Sequence, residues 1–150
     1  MKDNFEDALQ FAINAHRGQL DNGWTPYIMH LLGVWERVRE ASLTTQIVAL
    51  LHDSVEDTSV TYEDILREFG EDVANAVQIL THQKGVKYEP YIENIAQSDN
   101  MSAILVKLAD LEDNSSKTRL QRLPESKKKY FEKRIKEKYL PARRRLLRAL

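Results

Sequence analysis

Apolar residues in this chain recur at helical spacing from one end to the other. Phe5, Ala8, Leu9, Ala12, Ile13 and His16 follow an i, i+3, i+4 pattern. Val73, Ala76, Val77 and Leu80 share a second face, and Ile104, Leu105, Leu108 and Ala109 a third. A 3.6-residue period presents one stripe of a helix, whereas a strand needs a period of two, and no segment here alternates convincingly. Gly18, Gly70 and Gly85 interrupt the pattern, and Asp21-Asn22-Gly23 reads as a turn. Residues 24–30 are irregular and lead into a helix to about Arg39. Thr44 or Thr45 is expected to cap the helix that holds QIVALLHD, and Thr61 with Asp64 forms a capping box. Pro90 suits a first helical turn, Ser98-Asp99-Asn100 opens the next helix, and Pro124 opens a charged final one, interrupted near Pro141. The expected fold is all-α: a compact bundle of seven to nine helices without a significant sheet. Residues 1–150 are read as one domain, with 124–150 a basic helical segment of it.

Composition narrows the function. A chain of 150 residues suits one domain with a real core. It has no Cys, which removes disulfides, thiolate metal sites and cysteine nucleophiles. The longest strictly apolar run, residues 47–51, is far below the roughly 20 residues needed to cross a bilayer. The acidic start, MKDNFEDALQF, lacks the apolar stretch of a signal peptide. The expectation is a soluble cytoplasmic protein with no membrane partner. Charge is split along the chain. Residues 117–150 carry 14 Lys/Arg against three acids, a net +11, and residues 1–116 carry eight against 20, a net −12. Such a split suits a basic helix lying against an acidic body, or a basic wall for a phosphorylated small molecule. No aromatic stacking pattern accompanies it, so RNA is not the expected partner. A homo-oligomer remains open.

The stretch ALLHDSVEDT, residues 49–58, concentrates the ionisable groups. His52 and Asp53 are adjacent and can aim at one point only where a helix ends or a cleft opens. Asp53, Glu56 and Asp57 stand at i, i+3 and i+4, where like charges repel unless a cation or a bound substrate offsets them. In KLADLEDN, Lys107, Asp110 and Asn114 fall on one face. With His30, at the end of TPYIMH, these segments supply two imidazoles and two carboxylates: His30, His52, Asp53 and Asp110. That donor set suits Mn²⁺, Fe²⁺ or Zn²⁺ better than Mg²⁺ or Ca²⁺. Arg17, Arg119 and Arg122 are candidate phosphate contacts, since a guanidinium binds phosphate in a bidentate manner. Trp24 and Tyr27 lie in a loop beside the expected site.

The order His…His-Asp…Asp resembles the HD-domain metal-dependent phosphohydrolases. AHRGQ, TPYIMH, ALLHDSVEDT, ILREFGEDVANAVQILT and VKLADLEDN together are similar to the hydrolase domain of RelA/SpoT-type alarmone enzymes and their small stand-alone relatives. The likeness covers about residues 5–120 and implies an HD-type helical bundle. By that resemblance His30, His52, Asp53 and Asp110 hold one divalent ion, usually Mn²⁺, with Fe²⁺, Zn²⁺ or Co²⁺ as alternatives. It makes Glu56 and Asp57 the pair that activates water, and Asn114, Lys107, Tyr130, Tyr27 and Arg17 substrate contacts. The implied activity is that of a guanosine 3′,5′-bis(diphosphate) 3′-pyrophosphohydrolase. A hydrolase of another nucleotide, such as an NADPH 2′-phosphatase, and a non-catalytic nucleotide- or partner-binding module are the alternatives. Leu20 and Asp21 stand where the family commonly has Arg or Lys, Leu31 replaces a Pro, and Glu112 and Asp113 replace basic or aromatic residues.

Overall fold

The structure is a computed structural model that describes residues 2–150. It contains eleven α-helical segments and one π-helical turn, with no named strand among the described residues. In order they are α1 (Phe5–Ala15), α2 (Ile28–Val38), α3 (Leu43–Leu51), α4 (Ser54–Asp57), α5 (Tyr62–Phe69) and α6 (Glu71–Leu80). Then follow α7 (Tyr88–Ala96), α8 (Met101–Asn114), α9 (Lys117–Arg122), α10 (Glu125–Arg134), the π turn (Ile135–Tyr139) and α11 (Leu140–Leu147). α10 runs through the π turn into α11 as one rod, and α4 is a single turn. Counted that way the described residues form nine helices, the upper end of the expected range. The only extended pairing is an isolated bridge between Leu20 and Pro26 among the described residues.

α3 is the centre of the bundle. Ile47, Val48, Ala49, Leu50 and Leu51 are all buried, so the helix is apolar nearly all round, as an enclosed helix must be. It packs against α1, α2, α6 and α8. α8 is the second spine, touching α2, α3, α6, α7 and α11. These two spines meet α2 where the chemically active residues cluster.

Local signals explain the helix ends. Gly18 takes φ +79° just past α1, a left-handed conformation that favours glycine. The capping box is formed: Thr61 accepts from the Asp64 N–H and Asp64 accepts from the Thr61 N–H. The cap of α3, however, is Ser42 rather than Thr44 or Thr45. Its side chain accepts from the Thr45 N–H at 3.2 Å. Thr45 is turned inward instead, with its hydroxyl 2.7 Å from that of Ser102 on α8.

The basic segment docks by its far end. Ala142 and Leu146 of α11 are buried, and Arg145 makes two 2.7 Å contacts to Glu93 of α7. α10 has no buried residue. The expected interruption near Pro141 takes the form of the π turn just before it. A proline ring clashes with the carbonyl four residues back, here that of Glu137, and a wider turn relieves the clash.

Ser42→Ala should lower the unfolding free energy by about 1 kcal/mol, the usual worth of a Ser cap. Thr44→Ala should change it by less than about 0.5 kcal/mol. Urea titration of the two variants separates the two assignments of the cap.

Candidate functional site

Three elements bring four donors together. His30 comes from the first turn of α2, His52 and Asp53 follow the end of α3, and Asp110 lies on α8. One ligand atom from each lies within 4.8 Å of the others. α3 ends at Leu51; His52 keeps helical backbone angles, and Asp53, at φ −98° and ψ −1°, makes the turn that lets both side chains reach the same point. His52 Nε2 is 3.2 Å from Asp53 Oδ2 and 3.4 Å from Asp110 Oδ1. His30 Nε2 is 3.0 Å from Asp110 Oδ1 and 3.7 Å from Asp53 Oδ2.

The outer ring nitrogens decide what the inner ones offer. His52 Nδ1 lies 2.7 Å from the Ala49 carbonyl, which can only accept, so Nδ1 carries the proton. In the neutral ring Nε2 is then a lone pair, buried and with no hydrogen-bond partner among the described residues. His30 Nδ1 faces both the Asp113 carboxylate, at 2.7 Å, and the Arg119 guanidinium, which together hold the ring in place. Burial disfavours charge on either ring, yet Asp110 and its neighbours push both imidazoles upward. The carboxylates therefore favour positive charge at the point where the four donors meet. Two imidazole lone pairs and two carboxylates around such a point fit a divalent transition ion.

A second layer braces these donors. Tyr27 donates to Asp53 Oδ2 at 2.6 Å. Lys107 donates to Asp110 Oδ2 at 2.8 Å, and Asn114 donates to Asp110 Oδ1 at 3.1 Å. Asp113, buried, is held by Arg37 at 2.8 Å and Arg119 at 3.1 Å. Gly33 makes this arrangement possible: a Cβ there would stand 3.0 Å from Asp113 Cγ and closer still to its Oδ1.

Glu56 and Asp57 line the same cavity from α4. Burial, with the carboxylates of Asp53 and Glu56 nearby, pushes the Asp57 carboxyl up to about 6. Burial also raises Glu56, against the backbone N–H of His82 that donates to it at 2.7 Å. His82 thus borders the cavity and stacks on Tyr91 at 4.4 Å between ring centroids. A neighbouring cavity of about 420 Å³ is lined by Leu20, Trp24, Asn114, Arg119 and Phe131, among others. It shares Tyr27, Asn114 and Tyr139 with the cavity over the donor cluster.

Two candidate substrate contacts lie elsewhere. Arg17 lines neither cavity; it reaches back to Asn14 at 3.2 Å on the exposed side of α1, while the inward position goes to His16. Tyr130 is exposed and lines neither cavity; its hydroxyl accepts from Arg134. Asp113, Gly33 and Arg37 escaped sequence reasoning because their roles need α2 and α8 to be side by side. The unusual acid at 113 was the one signal available.

Over residues 8–146 the sequence matches the family described as HD domain. The chain belongs to the HD-domain family. It is 36% identical, over 96% of its length, to the guanosine-3′,5′-bis(diphosphate) 3′-pyrophosphohydrolase of Aquifex aeolicus (strain VF5), of which it spans 22%. It is 39% identical over 120 residues to the MESH1 guanosine-3′,5′-bis(diphosphate) 3′-pyrophosphohydrolase of Drosophila melanogaster, covering 73% of this chain and 66% of that protein. The chain thus spans about a fifth of the bacterial relative and just under two-thirds of the fly protein. A solved structure, reported as a metazoan ortholog of SpoT that hydrolyses ppGpp, superposes with TM-score 0.72 at 27% identity. That match covers 99% of this chain and 94% of the other. No helix among the described residues is long and apolar enough to cross a membrane.

Mn²⁺ at about a thousandfold excess over its Kd should stabilise the HD domain by about 4 kcal/mol. His52→Ala should erase that shift in a thermal unfolding experiment. Gly33→Ala should weaken Mn²⁺ binding by about tenfold or more, the usual loss when an outer partner of a ligating His is displaced. Calorimetric titration measures it.

Proposed function

We propose that this HD domain removes the 3′-pyrophosphate from guanosine 3′,5′-bis(diphosphate), with Mn²⁺ as its ion. The donor cluster with a carboxylate pair beside it carries the reading. The activities for which the bacterial and fly relatives are named favour this substrate. His30, His52, Asp53 and Asp110 would hold the ion. When bound, such an ion polarises a phosphoryl oxygen and makes water a nucleophile at neutral pH.

The chain's own residues supply the rest. Asp57, with its carboxyl raised to about 6, takes up a proton near neutrality, as a general base requires. Glu56, oriented by the His82 N–H, holds the attacking water. Lys107 and Tyr27 fix the acids at the centre, and Asn114 stands between the two cavities. Water adds to the phosphorus nearest the sugar and the bond from that phosphorus to O3′ breaks. GDP and pyrophosphate leave, and O3′ gains a proton. The larger cavity, with exposed Trp24 on its wall, has room for the nucleoside. A nucleotide substrate and a chain without cysteine suit a cytoplasmic enzyme.

The test is product release by Mn²⁺-loaded protein from guanosine tetraphosphate, NADPH and common nucleoside triphosphates. Pyrophosphate from the tetraphosphate alone is the expected result. Asp53→Ala should reduce it by about a thousandfold, the order lost when a principal electrostatic contact goes. Orthophosphate from NADPH would move the substrate. Nucleotide binding without turnover would make the protein a binding module.

A further inference from the structure

The cavity over the donor cluster has a second wall, built by the junction of α10 and the π turn. Arg134, Lys138 and Tyr139 all line it. Lys107 and Arg119, which flank the donor cluster, are committed to acids of the protein. Lys107 is paired with Asp110 at 2.8 Å, and Arg119 reaches Asp113 at 3.1 Å and Asp21 at 3.5 Å. Arg134 and Lys138 are different. Neither has a carboxylate partner among the described residues.

Aromatic groups hold these two cations instead. Arg134 Nε donates to the Tyr139 hydroxyl at 3.2 Å and Nη1 to the Tyr130 hydroxyl at 3.1 Å. The guanidinium carbon lies 5.5 Å from the Tyr139 ring centroid and 5.7 Å from that of Tyr130. Lys138 Nζ lies 4.8 Å from the Tyr88 ring centroid. Ring faces and hydroxyls orient a cation without neutralising it. A guanidinium has five N–H groups, so three of those on Arg134 remain for a ligand.

The π turn is what assembles this wall. Arg134 and Tyr139 are five residues apart, and an α-helix would set them about 140° apart around its axis. The i to i+5 spacing of a π turn places them on one face, where the 3.2 Å contact forms.

We propose that Arg134 and Lys138 form a phosphate subsite for the terminal phosphate of the diphosphate ester, the half that departs as pyrophosphate. The subsite presupposes the diphosphate hydrolysis proposed above. A fully ionised diphosphate ester carries three negative charges, one divalent ion supplies two positive ones, and Lys107 is already paired with Asp110. Two unneutralised cations on the opposite wall meet the remainder, and the guanidinium suits the paired oxygens of a phosphate. The pair takes no part in bond making. It binds the leaving half and orients the ester over the donor cluster.

The test uses the full chain saturated with Mn²⁺ and titrates it calorimetrically with inorganic pyrophosphate, orthophosphate and GDP. Arg134→Gln and Lys138→Gln should each weaken pyrophosphate binding by about tenfold or more, the loss of a charge-assisted contact. Arg134→Lys, which keeps the charge, should recover part of it. Mn²⁺ affinity and the unfolding midpoint should stay put, since neither α10 nor the π turn has a buried residue. In turnover the Gln variants should raise KM for the tetraphosphate more than they lower kcat. Pyrophosphate affinity unchanged in both Gln variants overturns the subsite, even where the tetraphosphate is hydrolysed. No pyrophosphate binding by the parent chain overturns it too. Loss of GDP affinity with pyrophosphate affinity retained also overturns it, and assigns the two cations to the 5′-diphosphate. Weakened pyrophosphate binding in a protein that turns over no tetraphosphate supports the subsite while removing the substrate.

Discussion

Two carboxylates and two imidazoles converge in the interior where α2, the end of α3 and α8 meet. Gathering like charges out of water is unfavourable unless something positive sits among them. Much of the surrounding structure follows from that requirement. α3 stops at Leu51 so that consecutive residues can face one point. Each imidazole is held at its outer nitrogen, His52 by the Ala49 carbonyl and His30 by Asp113 with Arg119, so that its inner nitrogen is turned to the centre. Tyr27, Lys107 and Asn114 restrain the carboxylates from the remaining sides.

The bracing continues outward and links the centre to the neighbouring cavity. Arg119 is shared between Asp113, Asn114 and Asp21, so one side chain ties α8 to the loop before α2. Asp21 is occupied there and in its own turn, where it accepts from the Gly23 and Thr25 N–H groups. An acid at that position is therefore a structural partner of an arginine rather than a free negative charge facing the ligand. The cations of this region divide into two sets. Arg37, Lys107 and Arg119 neutralise acids; Arg134 and Lys138 of the α10 junction are held by tyrosines and keep their charge for the cavity.

Much of this was legible beforehand. The helical periods, the Thr61 capping box and the breaks at Gly18 and Gly70 depend on residues within one or two turns of each other, and short-range patterns record such relations. The juxtaposition of Lys107, Asp110 and Asn114 was equally readable, since helix geometry alone places them together. The cap of α3 was misplaced because Ser42, Thr44 and Thr45 are all competent caps. The choice among them is made by Ser102, which draws the Thr45 hydroxyl inward from a helix far along the chain. Arg17 looked like a phosphate contact by residue type, yet the roll of α1 carries it to the outside and gives His16 the inner position.

What the sequence determined by itself is an all-helical chain with two imidazoles and two carboxylates whose order resembles that of the HD-domain hydrolases. The helices reside in local period, and the donor set in residue chemistry. Which groups stand behind them was decided only by tertiary packing. Asp113 reaches His30 because Gly33 leaves room between α2 and α8, and no local pattern encodes that clearance. Arg134 and Lys138 face the cavity because Pro141 follows a π turn that shifts the helical register, and because α11 is anchored through Leu146 and Arg145 against distant helices. A side chain's direction at such a point depends on accumulated rotation and on contacts many residues away, so it becomes definite only when the chain has folded.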